Sequence, residues 1–244
     1  MIGPVWITGA GSGIGEALAV ALAARGETVI ASGRRQALLE ALAARQPGIT
    51  PLPLDVTDPA AVAAAVAAMA PVPATAILCA GTHQKTPAAA FDAGEVRHLV
   101  ETNLMGIVHC VAALLPAFRA AGRGHLVLVA SVAGYRGLPT AAGYSASKAA
   151  VIALAESLKL DLDGSGIRVT LVNPGFVDTP LTQRNDFRMP DMISPQAAAR
   201  DILNGLDGTA FEIAFPRRFA FVMRLLRLLP DRLYFFVVHK ATGL

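Results

Sequence analysis

Short, almost wholly apolar runs recur along the chain, each followed by a longer Ala- and Leu-rich stretch with helical spacing. Trp6-Ile7-Thr8 closes the first run, and Glu16 to Ala24 reads as a helix ending near Gly26. Thr28 to Ser32 predicts a second strand and Arg34 to Arg45 a second helix. Ile49 to Leu54 predicts a third strand, with Asp58-Pro59 opening a helix from Ala60 to Met69. Ala76 to Cys79 and Leu126 to Val129 are the fourth and fifth strands, separated by a helical segment from Val100 to Arg119. Tyr144 to Leu162 is helical and ends at Gly164 and Gly166, before a sixth strand from Ile167 to Val172. Polar residues 182–193 break the rhythm as a loop does. Ser194-Pro195 has the form of an N-cap with proline at N1, opening a helix to about Leu203, and Phe211 to Phe215 is a final strand. Continuous apolar strands alternating with helices predict an α/β, doubly wound and mainly parallel sheet covered on both faces. No linker and no repeat appears, so residues 1–244 are expected to form one domain, with 181–204 on the substrate side and 216–244 as an appendage.

Composition narrows the class. Of the 244 residues, 54% are hydrophobic and 16% charged, which excludes a disordered chain. Two cysteines, Cys79 and Cys110, are too few for a disulfide scaffold and read as core thiols. The histidines (His83, His98, His109, His125, His239) lack paired ligand spacing, so no metal is expected. No basic leader precedes the first strand and no window holds 18 uninterrupted apolar residues, so the expectation is a cytoplasmic protein. The net charge of +3 is unevenly placed: residues 216–244 carry +5, the remainder −2. A nucleic-acid binder would spread basic charge over its main domain, so no nucleic-acid partner is expected.

Candidate chemistry begins between the first strand and helix, at Thr8-Gly9-Ala10-Gly11-Ser12-Gly13-Ile14-Gly15. Its glycines allow a tight turn and close approach of backbone to a pyrophosphate at a helix N-terminus. No Lys-Ser/Thr pair follows, which excludes a mononucleotide P-loop. After the second strand, Ser32-Gly33-Arg34-Arg35 lacks the acid that binds an NAD ribose. It offers two guanidinium groups to a ribose 2′-phosphate, favouring NADP(H). Tyr144 and Lys148, four apart, share a helix face, and Ser131 follows the fifth strand. An ammonium beside a phenol favours its ionised form, while serine and tyrosine can hold and protonate a carbonyl oxygen.

Together these motifs resemble the short-chain dehydrogenase/reductase family, of NADP-preferring type, over nearly the whole length. Residues 8–15 are similar to its TGxxxGIG loop, Asp55-Val56 to its adenine-contacting pair, and Asn103, Ser131, Tyr144 and Lys148 to its catalytic tetrad. Pro174-Gly175-Phe176-Val177-Asp178-Thr179 resembles the segment that holds the nicotinamide carboxamide. The resemblance implies a seven-stranded sheet, Tyr144 as acid–base, and Lys148 as phenol-tuning charge and nicotinamide-ribose ligand. Ser131 would orient the substrate oxygen, and Asn103 would sit in a helix distortion within a proton relay. Arg34 matches the basic residue of NADP-preferring members. Cys79-Ala80-Gly81 departs from the family's Asn-Ala-Gly turn, since Cys79 lacks the carboxamide. The implied activity is NADPH-dependent reduction of a carbonyl, or the reverse oxidation; a non-catalytic NADP(H) sensor or scaffold is the alternative.

Two regions stay open. Tyr135, Leu138, Phe176, Leu181, Phe187, Met189 and Met192 suggest a fairly apolar substrate pocket, with Arg136, Arg184 and Arg188 as candidates for an acidic group. The basic, apolar residues 217–240 fit a homo-oligomer or intramolecular packing surface, a peripheral membrane contact, or a channel wall.

Overall fold

The computed structural model describes residues 3–184 and 189–243, without the side chain of Arg184. Seven strands form one wholly parallel sheet: β1 (Val5–Thr8), β2 (Val29–Gly33), β3 (Ile49–Pro53), β4 (Thr75–Leu78), β5 (Gly124–Val129), β6 (Ile167–Pro174) and β7 (Glu212–Phe215). Their order is β3-β2-β1-β4-β5-β6-β7. The chain therefore reverses its direction of growth between β1 and β4, and ligands of doubly wound sheets bind beyond the strand C-termini at such a point.

The sheet is apolar on both faces because each strand sends alternate side chains to opposite cores. Trp6, Ala76, Leu78, Leu126 and Leu128 face one cluster, while Val5, Ile7, Ile77, Val127 and Val129 face the other. Trp6 is fully buried yet polar at one edge; its Nε1 donates to Ser32 Oγ at 2.8 Å, which removes the cost of an unpaired indole N–H. The first cluster packs beneath α3 (Pro59–Ala68), α5 (Gly106–Ala121) and α6 (Ala142–Asp161). The second packs beneath α1 (Gly13–Ala24), α2 (Gln36–Arg45) and α7 (Pro195–Leu206). Asp58 caps α3 by accepting from the N–H groups of Ala60 and Ala61, both at 3.0 Å, and Ser194 caps α7 through Ala197 N at 3.2 Å.

Some boundaries move for local reasons. Arg35 is extended, so α2 starts one residue after it. The helix expected from Val100 begins earlier, as α4 (Ala93–Val100), because Asp92 supplies a cap at Gly94 N. It then passes through a π-helical turn at Glu101–Met105 before α5. This continuous stretch, Ala93–Ala121, is long and apolar enough to cross a membrane by length and composition. Here it packs on α3 and α6 and carries the fully buried Asn103 at its middle, which makes it a core helix of the domain.

The last two helices, α8 (Arg217–Leu228) and α9 (Asp231–Thr242), are separated by Pro230, which lacks the N–H needed to continue α8. Ala220, Met223 and Tyr234 are buried against the domain. Intramolecular packing of the apolar tail, one of the expectations, is partial: Phe219 and Leu226 pack half-buried against the core and Leu229, Val237 and Val238 are half-buried, whereas Leu225, Phe235 and Phe236 are exposed.

Candidate active site

The glycine-rich loop leaves the C-terminal end of β1 and enters α1. Gly9 has φ +72° and Gly13 φ +61°, conformations that L side chains rarely adopt. At Gly15 the constraint is space, since a Cβ there would lie 2.4 Å from Gly9 O. Ser12 is held by Arg35, whose Nη2 donates to its Oγ at 3.1 Å. Arg35 thus contacts the loop, and Arg34 stands beside it after Gly33; both are exposed. Arg34 also acts on Asp55, two residues after β3. Partial burial pushes the Asp55 carboxyl up, but hydrogen bonds from Thr57 N (3.0 Å) and Oγ1 (2.8 Å), with the Arg34 charge, outweigh it and hold the pKa below the ordinary value. Val56 is buried, packed where a Cβ on Gly106 would stand 2.6 Å from its Cγ2.

The turn after β4 lacks the expected carboxamide, and other groups hold it. Thr8 Oγ1 accepts from both Cys79 N and Ala80 N at 3.1 Å. Two residues on, Asn103 Oδ1 accepts from Thr82 N (2.7 Å) and its Nδ2 donates to Thr82 O (3.0 Å). Asn103 Nδ2 also donates to Ser147 Oγ at 3.0 Å, and Ser147 Oγ donates to Tyr144 O at 2.8 Å. Asn103 therefore ties the π turn, the β4 turn and α6 into one unit. Thr82 and Ser147, and the hold of Thr8 on the β4 turn, escaped the sequence reading because they depend on contacts 21 to 72 residues apart.

A cavity of about 110 Å³ at the C-terminal edge of the sheet gathers Ser131, Tyr144 and Lys148 with Ile14, Cys79, Gly81, Pro174, Gly175, Val177, Thr179 and Leu181. Thr179 reaches across to Gly13, whose Cβ would stand 2.9 Å from the threonine methyl. Gly81 leaves room beside Asn103 and Lys148: a Cβ there would lie 3.2 Å from Asn103 Oδ1 and 3.5 Å from Lys148 Nζ. Ser131 Oγ donates to Pro174 O at 3.3 Å and accepts from Ala133 N at 3.1 Å, which orients the hydroxyl at the cavity wall.

The electrostatics differ from the expectation in one respect. Burial raises the Tyr144 pKa above that of an ordinary phenol; its hydrogen bond with Ser131 opposes the rise, and Cys79 adds to it. Lys148 lies 5.9 Å from the Tyr144 ring centroid and donates from Nζ to Val129 O at 3.0 Å. Burial lowers its pKa to about 8, with Cys79 opposing. The ammonium is thus directed at backbone, and Ser131 is the group acting on the phenol. A phenol with a raised pKa keeps its proton at neutral pH, which suits proton donation.

The candidate substrate residues separate. Leu181 lines the cavity, and Phe176 stacks on Phe219 of α8 with ring centroids 5.3 Å apart. Leu138 packs against the core and lines a different, outer pocket, while Met192 is exposed. Tyr135 does not face substrate: it is buried and its hydroxyl donates to Glu212, which also accepts from Asn173 Nδ2 at 2.6 Å and pairs with Arg224 at 2.7 Å. Arg136 is a structural clamp, stacked 3.9 Å over the Tyr234 ring, donating to Leu229 O at 2.6 Å and paired with Asp231. Phe187, Arg188 and the side chain of Arg184 lie outside the described residues.

With this geometry in view, the comparisons with known proteins agree. The family model for short chain dehydrogenases matches residues 4–188. An uncharacterized oxidoreductase of Myxococcus xanthus is 39% identical over 235 residues, covering 93% of each chain. Another, of Staphylococcus haemolyticus, is 36% identical over 205 residues, covering 82% of this chain and 89% of the relative. Among solved structures, a short chain dehydrogenase from Burkholderia cenocepacia in complex with NADP superposes with a TM-score of 0.84 at 29% identity, covering 98% and 96% of the two chains. One from Sphingobium yanoikuyae in complex with NADPH gives 0.82 at 29% identity, covering 88% of each. The chain belongs to the short chain dehydrogenase family, a family of NAD(P)-dependent oxidoreductases.

Proposed function

We propose that the protein catalyses NADPH-dependent reduction of a fairly apolar carbonyl compound, or the reverse oxidation of the alcohol. The observation that carries this reading is the convergence of Ser131, Tyr144 and Lys148 on one cavity bounded by Gly81, Gly175 and Thr179. The residues present fit a dinucleotide: Gly13 and Gly15 leave backbone bare at the start of α1, and Arg34 presents an exposed guanidinium where a 2′-phosphate would lie. Bound NADPH supplies the hydride. Ser131 orients the carbonyl oxygen and Tyr144 protonates it, while Lys148 holds the cofactor ribose. Neutralising the developing alkoxide by a positioned phenol is general acid catalysis. Val177 and Leu181 give the substrate side its apolar character.

The direct test is a panel of apolar ketones and aldehydes with NADPH, followed by loss of absorbance of the reduced nicotinamide. Turnover of at least one class is expected. Tight NADPH binding with no turnover across the panel would favour the non-catalytic sensor reading instead.

Cofactor preference has its own test. Arg34→Ala should weaken NADPH by roughly 10- to 100-fold, the worth of one charge-assisted hydrogen bond, and leave NADH nearly unchanged. Calorimetric titration of both cofactors on both proteins measures it. Equal losses, or a wild-type preference for NADH, would remove the NADP assignment.

A further inference from the structure

The face formed by α8 and α9 has no place in the chemistry above and lies beyond residue 188, where the family match ends. It exposes an unusual amount of apolar side chain. Phe221 is 60% exposed, Leu228 78%, and Phe235 and Phe236 64% each, with Val222, Leu225 and Leu233 also outward. On α8, Phe221, Leu225 and Leu228 recur at helical spacing and form one outward stripe. Soluble domains rarely leave such a continuous patch open unless something covers it.

Charge identifies the occupant. Arg217, Arg218, Arg227, Arg232 and Lys240 are all exposed on the same two helices. The segment's one acid, Asp231, is paired with Arg136, and the remaining cation, Arg224, is paired with Glu212. Five outward cations therefore share these two helices with the exposed apolar side chains, while residues 1–215 carry a net −2. A second copy meeting this face about a two-fold axis would bring both sets of cations together, with only Asp231, exposed but already paired with Arg136, as acid in the segment to offset them. An anionic lipid surface satisfies both features: apolar side chains enter the acyl boundary and guanidinium and ammonium groups meet headgroup phosphates.

We infer that α8 and α9 form a docking surface for an anionic bilayer. The surface is attached firmly to the domain. Tyr234 Oη donates to Gly137 O at 2.5 Å, and Arg136 clamps the α8–α9 junction through Leu229 O. It also adjoins the cavity, since Phe219 of α8 stacks on Phe176 and would stand 2.8 Å from a Cβ on Gly175. Docking would thus bring the cavity's apolar side close to the membrane, a placement suited to a lipophilic substrate. Docking itself does not depend on turnover.

The test is co-sedimentation of the full chain with phosphatidylcholine vesicles and with vesicles containing phosphatidylglycerol, at low and high salt. Binding should require the anionic lipid and weaken with salt. Phe235→Ser with Phe236→Ser, and separately Arg217→Gln with Arg218→Gln, should each lower the partition by about tenfold or more. All four side chains are exposed, and unchanged thermal melts would verify that both double variants fold. A folded wild-type protein that stays in the supernatant with anionic vesicles at low salt overturns the proposal, as does equal, salt-independent binding to both lipids. A dimer seen by light scattering, split by the phenylalanine variant and blind to vesicles, would overturn it in favour of a second copy.

Discussion

A Tyr144→Phe variant should keep its NADPH affinity and lose about 10²- to 10⁴-fold in turnover, the usual worth of a positioned acid–base group. The substitution removes one hydroxyl and keeps the ring, which meets His83 edge-on at a centroid distance of 4.7 Å. Among the described residues it gives up the hydrogen bond with Ser131, so the fold and the glycine-rich loop should be untouched. The loss should appear in kcat rather than KM, because the phenol proton is needed as charge develops on the substrate oxygen. Burial keeps that proton in place at neutral pH, which favours the reductive direction, and oxidation should accelerate as pH rises toward the phenol pKa. Stopped-flow reduction with NADPH and an active ketone from the panel measures the effect. A variant within about tenfold of wild type would remove Tyr144 from the role.

How far the sequence alone reached depends on whether an argument concerned residue type and spacing or side-chain direction. The alternation of apolar strands and helices gave the parallel sheet, because strands buried on both faces must be apolar throughout. Tyr144 and Lys148 were legible as a pair because four residues is a helical turn. The π turn at Glu101–Met105 was not, since it leaves no mark on hydrophobic periodicity; the resemblance implied it only as a distortion near Asn103. Tyr135 and Arg136 follow Ser131 closely and were therefore expected at the substrate, yet Glu212 draws one inward and Asp231 with Tyr234 draws the other toward α9. Those partners lie 77 to 98 residues away in the chain, beyond any local pattern. In the tail, charge and apolarity were visible from the start, whereas their joint exposure required the buried positions of Met223 and Tyr234 to be known.

Lys148→Met should produce the opposite signs in stability and in activity. Lys148 is almost fully buried and makes one hydrogen bond, to Val129 O, so the folded chain holds an ammonium in a place that disfavours charge. Its pKa falls from 10.5 to about 8 for that reason, a difference on the order of 2 to 4 kcal/mol against the folded state at neutral pH. Methionine has similar length and no charge, so it relieves this cost while leaving one carbonyl with a weaker partner. A rise of a few degrees in Tm at pH 7, measured without added cofactor, is expected for a chain of this size. The sign with pH follows from the depressed value. Below pH 8 both folded and unfolded chains bind the proton and the penalty is complete; between about 8 and 10.5 the folded chain has lost the proton and the unfolded chain has not, so wild-type stability recovers. The advantage of the variant should therefore be greatest at neutral pH and fade toward pH 10.5. Activity should move the other way, with turnover reduced at least about 10²-fold and NADPH weakened, since the role proposed above for the ammonium beside Tyr144 and Gly81 is to hold the nicotinamide ribose. A variant less stable than wild type at pH 7, or a stability difference that does not change between pH 7 and 10.5, would show that burial of this charge costs the fold nothing.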